Sequence, residues 1–578
     1  MSFASCLRRR TVISTRFRTV FVSAVVSMIL SYILMLTDNV VAGQFIDDDA
    51  AAAMSLVFPL LTMFFFLSYL IADGFGMMAA YAQGRENRNE VNRLFSQGLV
   101  LSLGLGGLLV LLLNIFQDEL LSFWKISSVY MSYASGYYNG LKWLPPIVFL
   151  NIFLYTFLIQ EGEAQVCVRS ASIAFCVNVL LDILLCPQLG TMGIGLATVA
   201  GTIVSCVVQG AFLLSDKSGL SFVWYGSFKQ IAKGGAFSFY HSVDTLYLSL
   251  LPIVLSAYVI ANWGESHIIV VTIVSNVLTL SVALYTGVVD CLQPMVCQYH
   301  SEGNYLSVSK TMTIGMVYTI AISLLVTILI GSFAALLPFL FGVDEEELIL
   351  EIVVSLRYFL IFLVFLGATL IYSNYYIYIE ERNYGLVLKT MLLIAFPLLG
   401  MALFGASSSM EYLWLGVGSG YLAAFLFNLA VVRLWPGRGN ILLQSREEIA
   451  RQCSYDINTV MDEVMSLSYR IEDELRSWGL SSSKLMRLSL LVEEIGMHAV
   501  ERCQGKPFQM EFSFLLTNTD NPTVKMIVRD NGKPYDLLAI VNDGKYSLRE
   551  FVIDSVTKDF YSRKYLSAGD ENKLVFEI

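Results

Sequence analysis

The first three quarters of the chain is a series of long apolar blocks joined by short polar links. A membrane-spanning helix needs about 20 mainly apolar residues. By that measure twelve blocks qualify, near residues 19–45, 52–80, 94–117, 139–160, 165–187, 192–215, 235–260, 267–297, 311–338, 352–378, 386–405 and 411–435. The pattern changes after LWPGRGN, residues 434–440. From about Ser445 charge returns, and no further apolar run of that length appears. The pattern predicts a membrane all-α domain of twelve transmembrane helices, then a C-terminal soluble α+β tail.

The polar links carry a second pattern. Arg8, Arg9, Arg10, Arg16 and Arg18 precede the first span, and Arg85, Arg88 and Arg93 follow the second. Arg169 follows the fourth, Lys217, Lys229 and Lys233 the sixth, Lys310 the eighth, Arg382 and Lys389 the tenth, and Arg433 and Arg438 the twelfth. The alternate links are acidic at Asp47–Asp49, Asp118–Glu119 and Asp344–Glu347. Basic links stay in the cytoplasm. An even span count then places both termini and the tail inside a multi-pass, inner-membrane type of protein.

Composition agrees. The chain is 56% hydrophobic and 15% charged, against roughly 25% charged in soluble domains, and its mean hydropathy is +0.64. A net charge of −10 argues against a nucleic-acid partner, which demands a basic surface. Nine cysteines form no CxxC pair, and Cys167, Cys176, Cys186 and Cys206 lie in apolar runs as small hydrophobes. The histidines His241, His267, His300 and His498 are too dispersed for a metal cluster. The apolar run from Val20 to Phe45 is too long for a signal core and reads as a retained first span.

An internal echo suggests duplication. FGMMAAYAQGRENRNEVNR follows the second span and LQPMVCQYHSEGNYLSVSK belongs to the eighth-to-ninth junction. Each runs from a helix end through a Gly/Asn-bearing link into a new span. Six spans separate them, so two six-helix halves, residues 19–220 and 221–440, would share one orientation. They are preceded by a basic segment, residues 1–18, and followed by the tail, residues 441–578. Parallel repeats of this kind place a transporter's binding site between the halves.

Charges inside spans are costly and functional by default. Asp38 lies in the first span, in LMLTDNVVAG. Asn178 and Asp182 lie in the fifth, four residues apart and so on one helical face. Thr198 lies one turn inside the sixth, after the glycine-rich PQLGTMGIG. A carboxyl in an apolar surround resists ionisation. A close pair of them can share a proton or yield it to a cation, with Asn and Thr oxygens as hard neutral ligands. Asp244 and Asp290 lie within a few turns of helix ends, where they face water, and His241 reads as a helix-end polar residue.

These motifs resemble the multidrug and toxic compound extrusion (MATE) family. LTDNVVAG resembles its first-helix motif. Asn178-V-L-L-Asp182 with PQLG and GIGLAT, residues 187–198, resembles its fifth-to-sixth helix signature, and LQP at Leu292–Pro294 its second-half counterpart. The resemblance covers about residues 15–437. It implies a cation site at Asp38, Asn178, Asp182 and Thr198 that takes H⁺ or Na⁺. It also implies efflux of small organic, cationic or amphipathic substrates, and no enzyme activity. Many members carry acids in the middle of helices seven and ten. Here the tenth span has none before Glu380 and Glu381, so a second-half cation site is not supported. A lipid-linked precursor flippase of the wider superfamily would line its spans with cations, and only Arg357, near an outer end, is a candidate. A membrane-anchored ligand sensor signalling through the tail is the other alternative.

In the tail, residues 447–478 carry apolar positions at helical spacing and predict one or two amphipathic helices. SSSKLMRLSLLVEEIGMHAVERC predicts a Ser-capped second helix. FQMEFSFLLTN and TVKMIVRD predict strands joined by NTDNP, and KLVFEI a last strand. VRDNGKPYD is the turn after the second strand. This order resembles the histidine-kinase-like ATPase fold, in its anti-sigma-factor-like branch. The resemblance implies a nucleotide site, with ATP and Mg²⁺ as cofactors, in which Glu494 is the catalytic-type acid and Asp530 and Gly532 form the adenine turn. His498 stands where the family has a Mg²⁺-binding Asn, and imidazole suits Mg²⁺ poorly. The second glycine box has only Asp543-Gly544 as a counterpart. The tail is therefore expected to regulate, through a nucleotide or a cytosolic protein partner, rather than to power transport.

Overall fold

The computed structural model describes residues 10–123, 128–215, 218–341, 343, 345–405, 409–435, 440–503, 505–518, 523–537, 547–568 and 571–578. The first helices are α1 (Val12–Phe45), α2 (Asp48–Gly84), α3 (Arg88–Ile115), α4 (Ser128–Leu141), α5 (Pro145–Gln160), α6 (Ala164–Leu189) and α7 (Thr191–Leu213). Then follow α8 (Phe228–Trp263), α9 (Ile268–Ser301), α10 (Tyr305–Ser332), α11 (Glu346–Leu360), α12 (Leu363–Tyr378), α13 (Arg382–Phe404, with a π turn at Met391–Ala395) and α14 (Met410–Leu434). Among the described residues ten helices are long and apolar enough to cross a membrane, and twelve crossings result if each of two bent pairs counts as one.

The bent pairs correct the simple span list. The fourth expected span is α4 and α5, meeting at 53°, and the tenth is α11 and α12, meeting at 45°. Pro145 and Pro146 open α5; proline lacks the N–H that would continue the upstream ladder. The second break, at Ile361–Phe362, carries neither proline nor glycine, so no local breaker marks it. Polar residues extend other helices past their apolar cores. As a result, α1 begins at Val12 and takes in Arg16, while α13 begins at Arg382 and takes in Lys389.

The echoed links share one geometry. Glu86 (φ 53°) and Gly303 (φ 76°) both adopt the left-handed conformation after a helix end. The next residue is an Asn whose N–H returns to a carbonyl five residues back, Asn87 to Ala82 and Asn304 to Tyr299, each at 2.9 Å. The Asn side chain then caps the new helix, Asn87 on Glu90 N–H and Asn304 on Ser307 N–H.

The tail comprises β1 (Gln452–Asn458), α15 (Met461–Arg476), α16 (Ser482–Arg502), β2 (Gln509–Asn518), β3 (Thr523–Asp530), α17 (Leu548–Thr557), β4 (Ser562–Ala568) and β5 (Glu571–Glu577). The strands form one antiparallel sheet in the order β1-β2-β3-β5-β4. β1 overturns the helical reading of residues 447–478. QCSYDIN pairs along its whole length with β2, and such pairing overrides local helical spacing. β4 and α17 were not anticipated; α17 is opened by a Ser547–Glu550 capping box. The NTDNP turn lies partly outside the described residues, as do Asp543-Gly544, Arg8, Arg9, Lys217, Asp344 and Arg438.

Strand periodicity sorts the sheet's two faces. Met510, Phe512, Phe514, Met526, Val528, Leu574 and Phe576 pack against Leu467, Ile471, Leu488 and Ile495 of α15 and α16. The opposite face carries Glu511, Arg529 and Lys573 around a small patch of Leu515, Ile527 and Val575. It is buried against one end of the helical bundle: Glu511 and Arg529 are both 0% exposed. Lys573 meets Glu302 at 2.6 Å and Glu86 at 3.4 Å, Lys525 meets Glu86 at 2.8 Å, and Arg16 meets Glu571 at 2.6 Å. Lys310 lies between Asp456 (2.8 Å) and Glu511 (3.2 Å), and Arg529 joins Glu302 to Glu571.

The pairing register explains why these charges sit there. Asp456 stands opposite Glu511, and Arg529 opposite Lys573. Like charges directly opposite on neighbouring strands destabilise a sheet. The bundle answers each pair with opposite charge, Lys310 for the acids and Glu302 with Glu86 for the bases. Burial alone would raise the Glu302 carboxyl, but Arg529 and Lys573 outweigh it and hold it down at about 2.

Candidate functional site

Asp38 on α1, Asn178 and Asp182 on α6, and Thr198 on α7 come together in the half of the bundle remote from the tail. Twenty-two residues of continuous helix separate Asp38 from Arg16 at the tail interface, roughly 33 Å of rise. All three α6 and α1 polar groups are buried, Asp38 at 7%, Asn178 at 1% and Asp182 at 0% exposure. The i, i+4 spacing of Asn178 and Asp182 puts both on the α6 face that α1 and α7 cover. Close approach of α6 and α7 depends on Gly201, where a Cβ would lie 3.0 Å from Asn178 Cβ. Gly190, at φ 60°, closes α6 and lets the chain turn at once into α7.

The site's hydrogen bonding is incomplete in one sense only. The Thr198 hydroxyl lies 3.5 Å from Asp38 Oδ2, and Asn178 Nδ2 lies 3.4 Å from that hydroxyl. The Asp38 and Asp182 carboxyls are close neighbours. Yet Asp38 Oδ1, Asn178 Oδ1 and both Asp182 oxygens are buried acceptors with no donor. Buried acceptors without partners cost on the order of 1–3 kcal/mol each, more when charged. Four hard oxygens converging without a donor fit a shared proton or a small hard cation. Among the described residues no three His, Cys, Asp or Glu side chains group as a transition-metal site would require. Tyr137 of α4, also buried, lies beside both acids and was not anticipated; an isolated tyrosine in an apolar block carries no sequence signal.

The other intramembrane candidates are corrected. His241 is not a helix-end residue facing water: it is 8% exposed, thirteen residues inside α8. Asp244 and Asp290 gather with it near the tail-side end, together with Asp73 and Lys389. Lys389, counted as a link base, is 0% exposed. Arg357 is exposed on α11, as expected for an outer-end residue.

The tail site behaves in the opposite way. Asp530 Oδ1 already accepts from Arg502 (3.1 Å), Gly532 N–H (2.9 Å) and Asn572 (3.0 Å). Glu494 pairs with Arg549 at 2.8 Å, and Arg549 with Glu501 at 2.7 Å. His498 packs against the Tyr535 ring, centroids 4.8 Å apart, with Glu550 3.6 Å away. Burial, with Arg502 beside it, holds its imidazole below the usual range. A ring held toward its neutral form and an acid already paired with an arginine do not fit Mg²⁺ on nucleotide phosphates.

A bundle of this span number defines a multi-pass membrane protein, and this one carries a buried acid pair on its first and fifth crossings. Comparison with known proteins gives the family. The MatE family model matches residues 23–184 and again 243–404, together more than half of the chain, and the chain belongs to that family. Proteins of this family are transporters rather than enzymes. Among curated proteins, a probable multidrug resistance protein, YoeA of Bacillus subtilis (strain 168), is 25% identical over 207 residues. The match spans 35% of this chain and 45% of that relative. Two solved structures share the fold at TM-score 0.68 and 18% identity, each covering 75% of this chain and 98% of the other. One is a MOP superfamily transporter from Pyrococcus furiosus described for the reversed polarity of its binding pocket. The other is a multidrug resistance MATE family transporter in an outward-facing conformation.

Proposed function

We propose that the protein is a secondary-active exporter of small organic, cationic or amphipathic compounds, driven by a proton or Na⁺ gradient acting at Asp38, Asn178, Asp182 and Thr198. The observation that carries this reading is the set of four buried acceptor oxygens without a donor on α1 and α6. Two six-helix halves alternate access around a central path. The doubled family match and the identical turns at Glu86–Asn87 and Gly303–Asn304 support that arrangement. The basic links support a tail on the cytoplasmic side.

The tail regulates transport as a docked module, without nucleotide chemistry. Its ionic face reaches Arg16 and Glu86 of the first half and Glu302 and Lys310 of the second. A body bonded to both halves at one end stabilises the conformation in which those ends lie together, and opposes any state that parts them.

The test is flux. Purified protein in liposomes should move ethidium against its gradient when a proton or Na⁺ gradient is imposed, and should stop when it collapses. Absence of gradient-dependent flux with either ion, in protein that is folded and inserted, refutes the exporter reading and leaves a ligand sensor.

A further inference from the structure

The spans before and after residue 220 meet along a seam near the tail. Their backbones touch there: a Cβ on Gly74 of α2 would fall on the Gly234 carbonyl of α8. Beside that contact lies a buried polar chain. His241 Nδ1 is 2.9 Å from Asp73 Oδ2, and His241 Nε2 is 2.9 Å from the Tyr378 hydroxyl. Ser242 donates to the same Asp73 oxygen at 3.3 Å. Asp73 of α2, Asp290 of α9 and Tyr378 of α12 lie beside the ring, and around the aspartates are Tyr69 of α2, Tyr155 of α5 and Lys389 of α13, with Asp244 on the same helix as His241. Lys389 donates to the His241 carbonyl and lies 3.2 Å from Asp244.

Two features single out His241. The first is charge. Three carboxyls outnumber one ammonium at the seam, and an uncompensated buried charge is strongly destabilising. A proton gained there removes part of that excess. The second is hydrogen bonding. In the neutral ring Nδ1–H donates to Asp73 and Nε2 accepts from Tyr378. With a proton on Nε2 the Tyr378 bond reverses, because a phenol accepts as well as donates. Neither state loses a hydrogen bond.

We propose that His241, with Asp73 and Tyr378, is a second proton-binding site, separate from Asp38 and Asp182, that holds its proton while the tail-side seam is closed. This rests on the transporter reading above. Asp73, Tyr69 and Tyr155 belong to the first six spans, and His241, Asp244, Asp290, Tyr378 and Lys389 to the last six. Parting the seam pulls Asp73 from the ring. The imidazolium then loses its counter-charge, and Nε2–H passes its proton to water, leaving the neutral ring. A proton taken up in the closed state is thus delivered on the tail side.

The experiment has two arms. In proteoliposomes, the pH gradient that balances a fixed ethidium gradient gives the number of protons moved per ethidium. His241→Gln should move one proton fewer while gradient-free ethidium exchange continues within about twofold of wild type. An unchanged coupling ratio overturns the proposal; so does loss of exchange together with accumulation, which marks a structural role. The second arm needs no transport. The chain has four histidines, so ¹³C-histidine spectra of the solubilised protein identify His241 by its absence from the variant. A ring that changes protonation between about pH 5 and 8 supports the site, even if ethidium does not move and the exporter reading fails. A ring fixed in one state overturns it. Asp73→Asn, which keeps the ring but removes its counter-charge, should leave it neutral over that range.

Discussion

Replacing Arg529 by Gln should undock the tail without unfolding it. Arg529 is 0% exposed, bonds Glu302 and Glu571, lies 3.5 Å from Glu511 and sits over the Tyr299 ring at 4.7 Å. Removing one partner of a buried pair costs about 3–5 kcal/mol. Glu302 points the same way: Arg529 and Lys573 together hold its carboxyl down against burial. A loss of about 3 kcal/mol multiplies the undocked population by roughly a hundred. Hydrogen–deuterium exchange on the full-length protein reads this directly. Residues 299–311 should exchange roughly a hundredfold faster in Arg529→Gln, while β3, still paired with β2 and β5, and the α15–α16 core stay at the wild-type rate. Gradient-driven ethidium flux should rise, because a contact that opposes separation of the halves has been removed. Unchanged exchange at residues 299–311 would refute the docking argument. Faster exchange with unchanged flux would refute the regulatory one.

The same contact has a pH dependence of fixed sign. Docking depresses the Glu302 and Glu511 carboxyls. Their contribution is therefore complete above the ordinary glutamate value near 4.3 and is lost as pH falls toward about 2, so exchange at residues 299–311 should accelerate on acidification through that window. Asp38→Asn should abolish gradient-driven efflux while the solubilised protein stays monodisperse; full activity would dismiss the α1–α6 site. Gly201→Val should push Asn178 away, since even a Cβ there lies 3.0 Å from Asn178 Cβ and 3.1 Å from the Ala174 carbonyl. The expected result is a tenfold or greater loss of coupled flux, about 1.4 kcal/mol or more, and wild-type flux would show that the α6–α7 spacing does not set the site. Calorimetric titration of the whole protein with Mg·ATP should show no binding at millimolar concentration, because Asp530 and Glu494 are already bonded; saturable binding abolished by Asp530→Ala would restore a nucleotide role.

The sequence by itself determined most of the spans, the change to a mixed helix-and-strand tail and which buried acids make the candidate site. Hydropathy is a local property, and a charge such as Asp38 or Asp182 stands out inside an apolar block without knowledge of its neighbours. The four-residue spacing of Asn178 and Asp182 fixed their common face for the same reason. Local signals failed where partners lie far along the chain. Lys389 and Arg16 read as link charges because each falls close to the end of an apolar block, yet their helices run past those ends and both are buried. His241 gave no sign of Asp73, 168 residues away. QCSYDIN read as helix until β2 paired with it. The like-charged pairs Asp456–Glu511 and Arg529–Lys573 make sense only beside Lys310 and Glu302. Burial and pairing of charges depend on which surfaces meet, and only the tertiary structure decides that.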